Sequence, residues 1–336
     1  MPALIKTDST LRPDLATFAE LDMEMQRRGY VGTRILPGFE VGKPEGKFGV
    51  IELKDLLANK DADTKRTSTG SYNESDYELK ERSYQTEEHG WKERIDDRER
   101  QMYSDYFEGS SYDAEQVAAN RSWEHVLHNL DKRVIKATIT DLPAGQKAAA
   151  SAVWSNAATA DPIADIETAC EEVWKRTGMW PDTVTMSVLA YRKLRHVQKV
   201  LERINSNGAG DRTMPRDVNL AKLAELFDVR QVVVAGAVGN TANRPKKAVL
   251  DTVFPKGSVL VSKAAQTNDF KEPCLGRTFH WGGDGSEIQG EDGRLIGVVE
   301  EYRNEDRRSD YVRVRHETDE FILYQEMGQV ITGVLS

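Results

Sequence analysis

Residues Gly46 to Asp97 constrain the fold most, because this stretch is too long and too polar to fold by itself. It opens with the apolar run Phe48-Gly49-Val50-Ile51-Glu52-Leu53 and closes with Tyr77-Glu78-Leu79-Lys80-Glu81-Arg82-Ser83-Tyr84. Between them, Ala58 to Ser71 carries Lys60, Asp61, Asp63, Lys65 and Arg66 and almost nothing to bury. Two extended arms around a charged tip read as a long β-hairpin, and an isolated two-stranded hairpin is marginal in water. A structureless loop of this length inside a compact domain is uncommon, and such segments usually carry function. The arm is therefore expected to find its stability on another molecule, which points to assembly rather than catalysis.

The 336 residues are 39% hydrophobic and 30% charged, enough for one large domain or two ordinary ones with proper cores. A net charge of −9 argues against a protein whose main work is gripping nucleic-acid phosphates, which would show a basic face. Two cysteines, Cys170 and Cys274, without a CxxC pair support neither a disulfide framework nor a structural zinc site. The N-terminus lacks a basic region followed by an apolar one, so no secretory signal is read there. No apolar run approaches the ~20 residues that span a bilayer, and no membrane partner is expected.

Along the chain, Leu15, Phe18, Leu21 and Met25 recur at helical spacing within an otherwise irregular arm. A charged helical stretch is expected to begin at Glu93 and to break near Gly109. The strongest helix follows: Asp113 and Gln116 have capping-box spacing, and Val117, Trp123, Val126, Leu127, Leu130 and Val134 trace one apolar stripe, with Asp131, Lys132 and Arg133 off it. Ala144 to Ala160 reads as a linker around Val153-Trp154. Asp161-Pro162 starts a second clear helix, with Asp at the N-cap and Pro at the first helical position, and Gly178 stops it. Thr183 to Ser187 reads as a strand leading into a helix with Leu189, Tyr191 and Leu194, after which Asn205 to Pro215 is a loop. Asn219 caps a short helix that feeds the strand Gln231 to Ala235, and Ser258 to Val261 is another buried strand. The end is β-rich, with strands at Ile296–Tyr302, Tyr311–His316, Phe321–Gln325 and Val330–Leu335. Helices and strands mix without βαβ alternation, which gives an α+β class with two subdomains between which the chain crosses.

Candidate sites for chemistry are weak. Asp61-Ala62-Asp63 resembles the start of a calcium loop, but Arg66 and Tyr72 stand where glycine and glutamate are required. His125 and His128 sit one turn apart, with no nearby residue to complete a zinc site. The strand Val232–Ala235 runs into Gly236 and Gly239 without a GxGxxG fingerprint or a following helix to hold a phosphate. The clusters Trp281–Gly285 and Gly290–Gly293 read as tight turns. No nucleophile motif is present, and neither an enzyme activity nor a metal or cofactor is expected.

The order of parts resembles the major capsid proteins of tailed bacteriophages, the Hong Kong 97-type shell fold also seen in encapsulins. Arg34 to Val41 is similar to the apolar-Pro entry closing the family's N-terminal arm. The charged hairpin with Tyr77-Glu78-Leu79 is similar to its extended loop, and Asp113 to Ile135 to its spine helix. Asp161 to Ile166, Met179 to Met186 and Leu223 to Asn240 resemble the central and axial parts, and Phe321 to Leu335 the closing strands. The resemblance covers nearly the whole chain through degenerate motifs in a shared order. It implies an N-terminal arm (1–45), an extended hairpin loop (46–97), a spine helix with peripheral subdomain (98–165), a mainly axial subdomain (166–300) and closing peripheral strands (301–336).

What the resemblance implies is a virion protein that polymerises, in the host cytoplasm, into pentamers and hexamers of an icosahedral shell around packaged double-stranded DNA, held without sequence-specific contacts. Its hairpin would lie across a neighbouring copy, with Lys65, Arg66, Tyr77, Leu79 and Arg82 as the inter-subunit contacts. Because the familiar region begins almost at once, any scaffolding protein is expected to be separate, beside a portal and a possible decoration protein. Some relatives join a hairpin lysine to a C-terminal asparagine. Lys54, Lys60 and Lys65 are present, but no asparagine follows Asn304, so non-covalent closure is expected. The alternatives are an encapsulin-like compartment shell and, more remotely, a nucleotide-binding enzyme using the Val232 to Asn240 turn.

Overall fold

The computed structural model describes residues 10–11, 28–57, 65–66, 70–72, 77–106, 114–205, 214–242, 247–269, 271–282 and 297–335. Expectations for Leu15 to Met25, Asp113, Asp61 to Asp63, the loop at 206–213 and the glycine–acid turns at 283–293 lie outside them. The organising element is the helix Ala114–Ile135, extended by a π-helical turn at Lys136–Thr140. Its upper stripe, Ala119, Trp123, Val126 and Leu127, packs on Ile95, Val299, Val312 and Val314. Its lower stripe, Leu130, Val134 and Ile135, joins a different core with Ile35, Leu36, Leu260 and Val330. One amphipathic face thus serves two sheets, and fully burying each such side chain contributes about 1.5–3 kcal/mol.

The first sheet has six strands. Along the chain they are β1 (Thr10–Leu11), β2 (Gly38–Glu40), β5 (Glu87–Asp96), β12 (Gly276–His280), β13 (Val298–Asn304) and β14 (Ser309–Ile322). β14 is its axis: β5 pairs with it antiparallel from Ser309↔Asp96 to Thr318↔Glu87, while β13 and then β12 share its other edge. The hairpin arms β3 (Glu45–Ile51) and β4 (Leu79–Gln85) form a separate two-stranded ribbon. The second sheet has the order β6-β15-β11-β7-β8, with β6 at Lys147–Ala149, β7 at Thr183–Ser187, β8 at Gln231–Ala235, β11 at Ser258–Ser262 and β15 at Gly328–Thr332. Every residue of β7 and β11 is buried, under the helices Pro162–Thr177, Val188–Leu194 and Leu220–Leu226. A short ribbon, β9 (Val238–Asn240) with β10 (Leu250–Thr252), stands apart from both sheets.

Helix ends follow local chemistry. Asp161 Oδ1 accepts from Ala164 N at 3.2 Å and Asn219 Oδ1 from Lys222 N at 2.9 Å. Gly178, at φ 69°, closes its helix in the left-handed region.

Four expectations are corrected, each by non-local pairing. Glu93 to Asp96 belongs to β5, and the helix begins at Asp97, because ten cross-strand partners on β14 outweigh the helical propensity of Glu, Lys and Arg. Tyr311–His316 and Phe321–Gln325 are not two strands: β14 runs unbroken through Glu317 to Glu320, whose polar side chains find partners. The stretch at 144–160 is not a linker. It contributes β6 to the second sheet, and Trp154 is fully buried with its Nε1 donating to Asp165 Oδ2 at 2.8 Å. The last strand, β15, lies in the second sheet between β6 and β11, not beside β14.

Candidate assembly interface

The hairpin has a built foot and an exposed upper part. At the foot, Phe48 and Tyr84 lie over the face of the first sheet that points away from the long helix. Phe48 meets Phe321 and Phe279 edge-on, with ring centroids at 5.3 and 5.8 Å, and Tyr84 sits 5.2 Å from Phe279. Such pairs add about 0.5–1.5 kcal/mol beyond area burial. Val50 packs with buried Cys274 and Leu323. Tyr324 Oη donates to the Ile51 carbonyl at 3.0 Å, and Thr86 N to the Pro44 carbonyl at 2.8 Å. The foot therefore does have a small core in its own subunit, contrary to the sequence expectation. The pattern Phe48-x-Val50 on β3 was the signal that could have located it, since alternate residues share one face.

The expected contact residues divide accordingly. Arg82 Nη1 donates to the carbonyls of Ile322 at 3.2 Å and Leu323 at 3.1 Å, at the end of β14 in its own chain. It anchors the foot to its own sheet. Lys80 pairs with Glu52 and Lys47 with Glu81 along the ribbon. Among the described residues the ribbon's pairing ends at Ile51↔Leu79, and apolar groups there and beyond are exposed: Leu79 58%, Tyr77 59% and Tyr72 69%. Lys65 and Arg66 are exposed as well. Arg66 Nε donates to the Gly70 carbonyl at 2.8 Å, and its guanidinium lies 4.9 Å over the Tyr72 ring. Exposed aromatics beside a cation make the composition that dominates protein–protein contacts.

The other candidate residues serve packing. His125 stacks on Trp91 at 4.2 Å, while His128 faces Tyr30 edge-on at 6.3 Å, so the two rings address different neighbours and share no ligand position. Among the described residues no group of three or more His, Cys, Asp or Glu could hold a metal ion. The glycine turn after β8 spends its amides internally: Gly236 N and Ala237 N donate to the Gly29 carbonyl at 3.0 and 3.2 Å. Gly29 has φ +72°, and a Cβ there would stand 2.7 Å from Gly236 Cα, so the close backbone approach requires glycine. Cys170 and Cys274 are buried free thiols, pushed up to about 12 and about 11 by burial. No helix among the described residues is long and apolar enough to cross a membrane.

Two residues of the long helix hold more than the sequence signalled. Asp131 is buried, and its Oδ1 accepts from Val31 N at 2.8 Å and Gly32 N at 2.6 Å, tying the segment before β2 to the helix. Burial raises its carboxyl to about 6, against the lowering effect of those two amides. Arg133 reaches across to β14, with Nε and Nη2 donating to the two oxygens of Glu320 at 2.9 Å each.

Comparison with known proteins agrees with this architecture. The chain is 24% identical over 312 residues to the major capsid protein of Burkholderia phage BcepMu, covering 91% of each sequence. Its structure is similar to that of a phage-related protein from Bordetella bronchiseptica, with TM-score 0.66 and 18% identity over 97% of this chain and 98% of that one. It is also similar to the capsid of cyanophage P-SCSP1u, with TM-score 0.54 and 12% identity over 90% of this chain and 87% of that one. No family model matches. The fold is the Hong Kong 97-type phage capsid fold.

Proposed function

We infer that this chain is the major capsid protein of a tailed bacteriophage, a structural protein that assembles with copies of itself into the shell of the virion. The observation that carries the reading is a likeness over 91% of the chain to a phage major capsid protein, in a fold whose hairpin is anchored at its foot and exposes Tyr72, Tyr77 and Leu79. A ribbon that exposes Tyr72, Tyr77 and Leu79 gains little within its own subunit, whereas burial against a neighbour removes that apolar surface from water. Lys65 and Arg66 add charges suited to carboxylates on that neighbour. Each exposed pair contributes about 0.2–1 kcal/mol, and repetition over a closed lattice makes many weak contacts substantial.

The finer picture follows from the same reading: pentamers and hexamers closing an icosahedral shell around double-stranded DNA in the host cytoplasm, with a separate scaffolding protein, a portal and a decoration protein as partners. Negative-stain electron microscopy of the expressed protein tests it. Closed shells are expected, and a persistently monomeric protein under assembly conditions sinks the reading. Particles from the native source should hold nuclease-protected DNA; a protein cargo instead would identify an encapsulin-like compartment. The shells should dissociate in denaturing gels without reductant, because both thiols are buried and unpaired. A ladder of covalent multimers would contradict that.

A further inference from the structure

Three of the chain's six histidines converge at one place where the long helix meets the first sheet. His316 on β14 and His89 on β5 are cross-strand partners with ring centroids 5.9 Å apart, edge to face. His280 on β12 stands opposite Thr318, two residues along β14 from His316. His316 and His280 are buried, and His280 Nδ1 has no hydrogen-bond partner. Into this group comes Arg133 from the long helix. Its Nη2 donates to Thr318 Oγ1 at 2.8 Å and lies 3.5 Å from His316 Nε2, alongside its paired hydrogen bonds to Glu320. The other charged groups facing the cluster are Glu87, 4.0 Å from His89 Nε2, and Glu40, near His280. There is no slack: a Cβ on Gly297 would lie 3.2 Å from His316 Cβ and 3.1 Å from the Trp123 ring.

We propose that this cluster is a proton-sensitive joint that sets how firmly the lower half of the long helix is held on the first sheet. A neutral His316 ring can turn a nitrogen lone pair toward the Arg133 guanidinium. A protonated ring can only repel it, and Glu320 is already committed to Arg133. Protonation of His89 or His280 adds a further cation to the same low-dielectric space, where like charges interact strongly. Burial and the Arg133 charge hold His316 well below the ordinary histidine range, and burial lowers His89 and His280. The sign follows from linkage: the unfolded chain takes up these protons first, so the joint is intact above about pH 6.5 and weakens as pH falls below it. Relief comes by opening the helix–sheet contact to water, a local event rather than global unfolding.

Amide hydrogen exchange on the full chain, read as protection factors at about pH 7.5 and about pH 5, tests the joint. Protection of residues 126–135 should fall on acidification at least about tenfold more in the native protein than in His316→Gln, which keeps a polar side chain but cannot titrate. The difference between the two proteins cancels the contribution of Asp131, whose shift has the opposite sign. Equal pH dependence in both overturns the proposal. Should His316→Gln fail to fold, NMR titration of the imidazole rings in the native protein decides instead. A His316 ring still neutral at about pH 5 supports the joint, and one titrating near the ordinary ~6.5 overturns it.

Discussion

The two sheets are stabilised in different ways. In the second sheet, β7 and β11 are buried along their whole length, and the surrounding core of Val184, Met186, Val259, Val261 and Ile331 is apolar. Its cohesion is hydrophobic burial at interior density, which tolerates neither voids nor extra atoms. The first sheet is covered by the long helix on one face and by the hairpin foot over part of the other. Between these it places charge: Arg133 with Glu320, and Arg313 and Arg315 both on Glu300, a residue only 5% exposed. Buried ion pairs are weak sources of net stability, because desolvation offsets most of the attraction, but they fix geometry and cost heavily when half removed. The second sheet is therefore a solid core, and the first a directional scaffold on which the hairpin and the long helix are positioned.

Breaking one partner of the partly buried Arg133–Glu320 pair is the severest test of that contrast. Arg133→Met should destabilise the chain by about 3–5 kcal/mol, because Glu320 is left uncompensated, whereas Arg133→Met with Glu320→Leu should recover most of the loss. Denaturant unfolding of the single and double variants checks this, and an unrecovered double variant would mean that the pair itself supplies net stability. In the second sheet, Leu260→Ala should cost about 2–5 kcal/mol, and no charge substitution elsewhere should restore it, since the loss is a cavity. If Leu260→Ala costs under about 1 kcal/mol, that core is not close-packed.

Asp131 sharpens the comparison through pH. Its native carboxyl, raised to about 6 from an ordinary 3.8, makes the charged form a burden in the folded state. The cost is full above pH 6 and disappears as pH falls toward 4, the reverse of the usual salt-bridged aspartate. Asp131→Asn, which keeps an acceptor for Val31 N and Gly32 N, should raise stability at pH 7 by up to about 3 kcal/mol and by almost nothing at pH 4. Melting curves at the two pH values measure it, and a uniform gain or loss would remove the charge argument. The smallest effect on the monomer belongs to the hairpin tip. Lys65→Glu with Arg66→Glu should shift monomer stability by less than about 0.5 kcal/mol. The concentration needed for assembly should nevertheless rise, most clearly at low salt where screening is weak. Light scattering against a monomer melt separates the two, and an unfolded variant whose survivors assemble normally would place the tip on its own subunit.

The sequence by itself determined the elements whose causes are local. Asp161-Pro162 before its helix, Gly178 after it, Asn219 as a cap, and the apolar stripe from Trp123 to Val134 were all legible, because a helix is specified by neighbours three and four residues apart. The exposure of Lys65 and Arg66 was legible from a polar stretch with little to bury, and the order of parts carried the likeness to phage capsid proteins. Tertiary structure alone decided what depends on residues far apart in the chain. β5 is a strand because β14 lies beside it, Trp154 is core because β6 joins β15, and β15 changes sheets without any local mark. Asp131 and Arg133 looked like solvated charges off the stripe, yet one closes on the amides of Val31 and Gly32 and the other on Glu320. A charge looks alike in sequence whether it meets water or a partner 187 positions away, and only the assembled sheet supplies that partner.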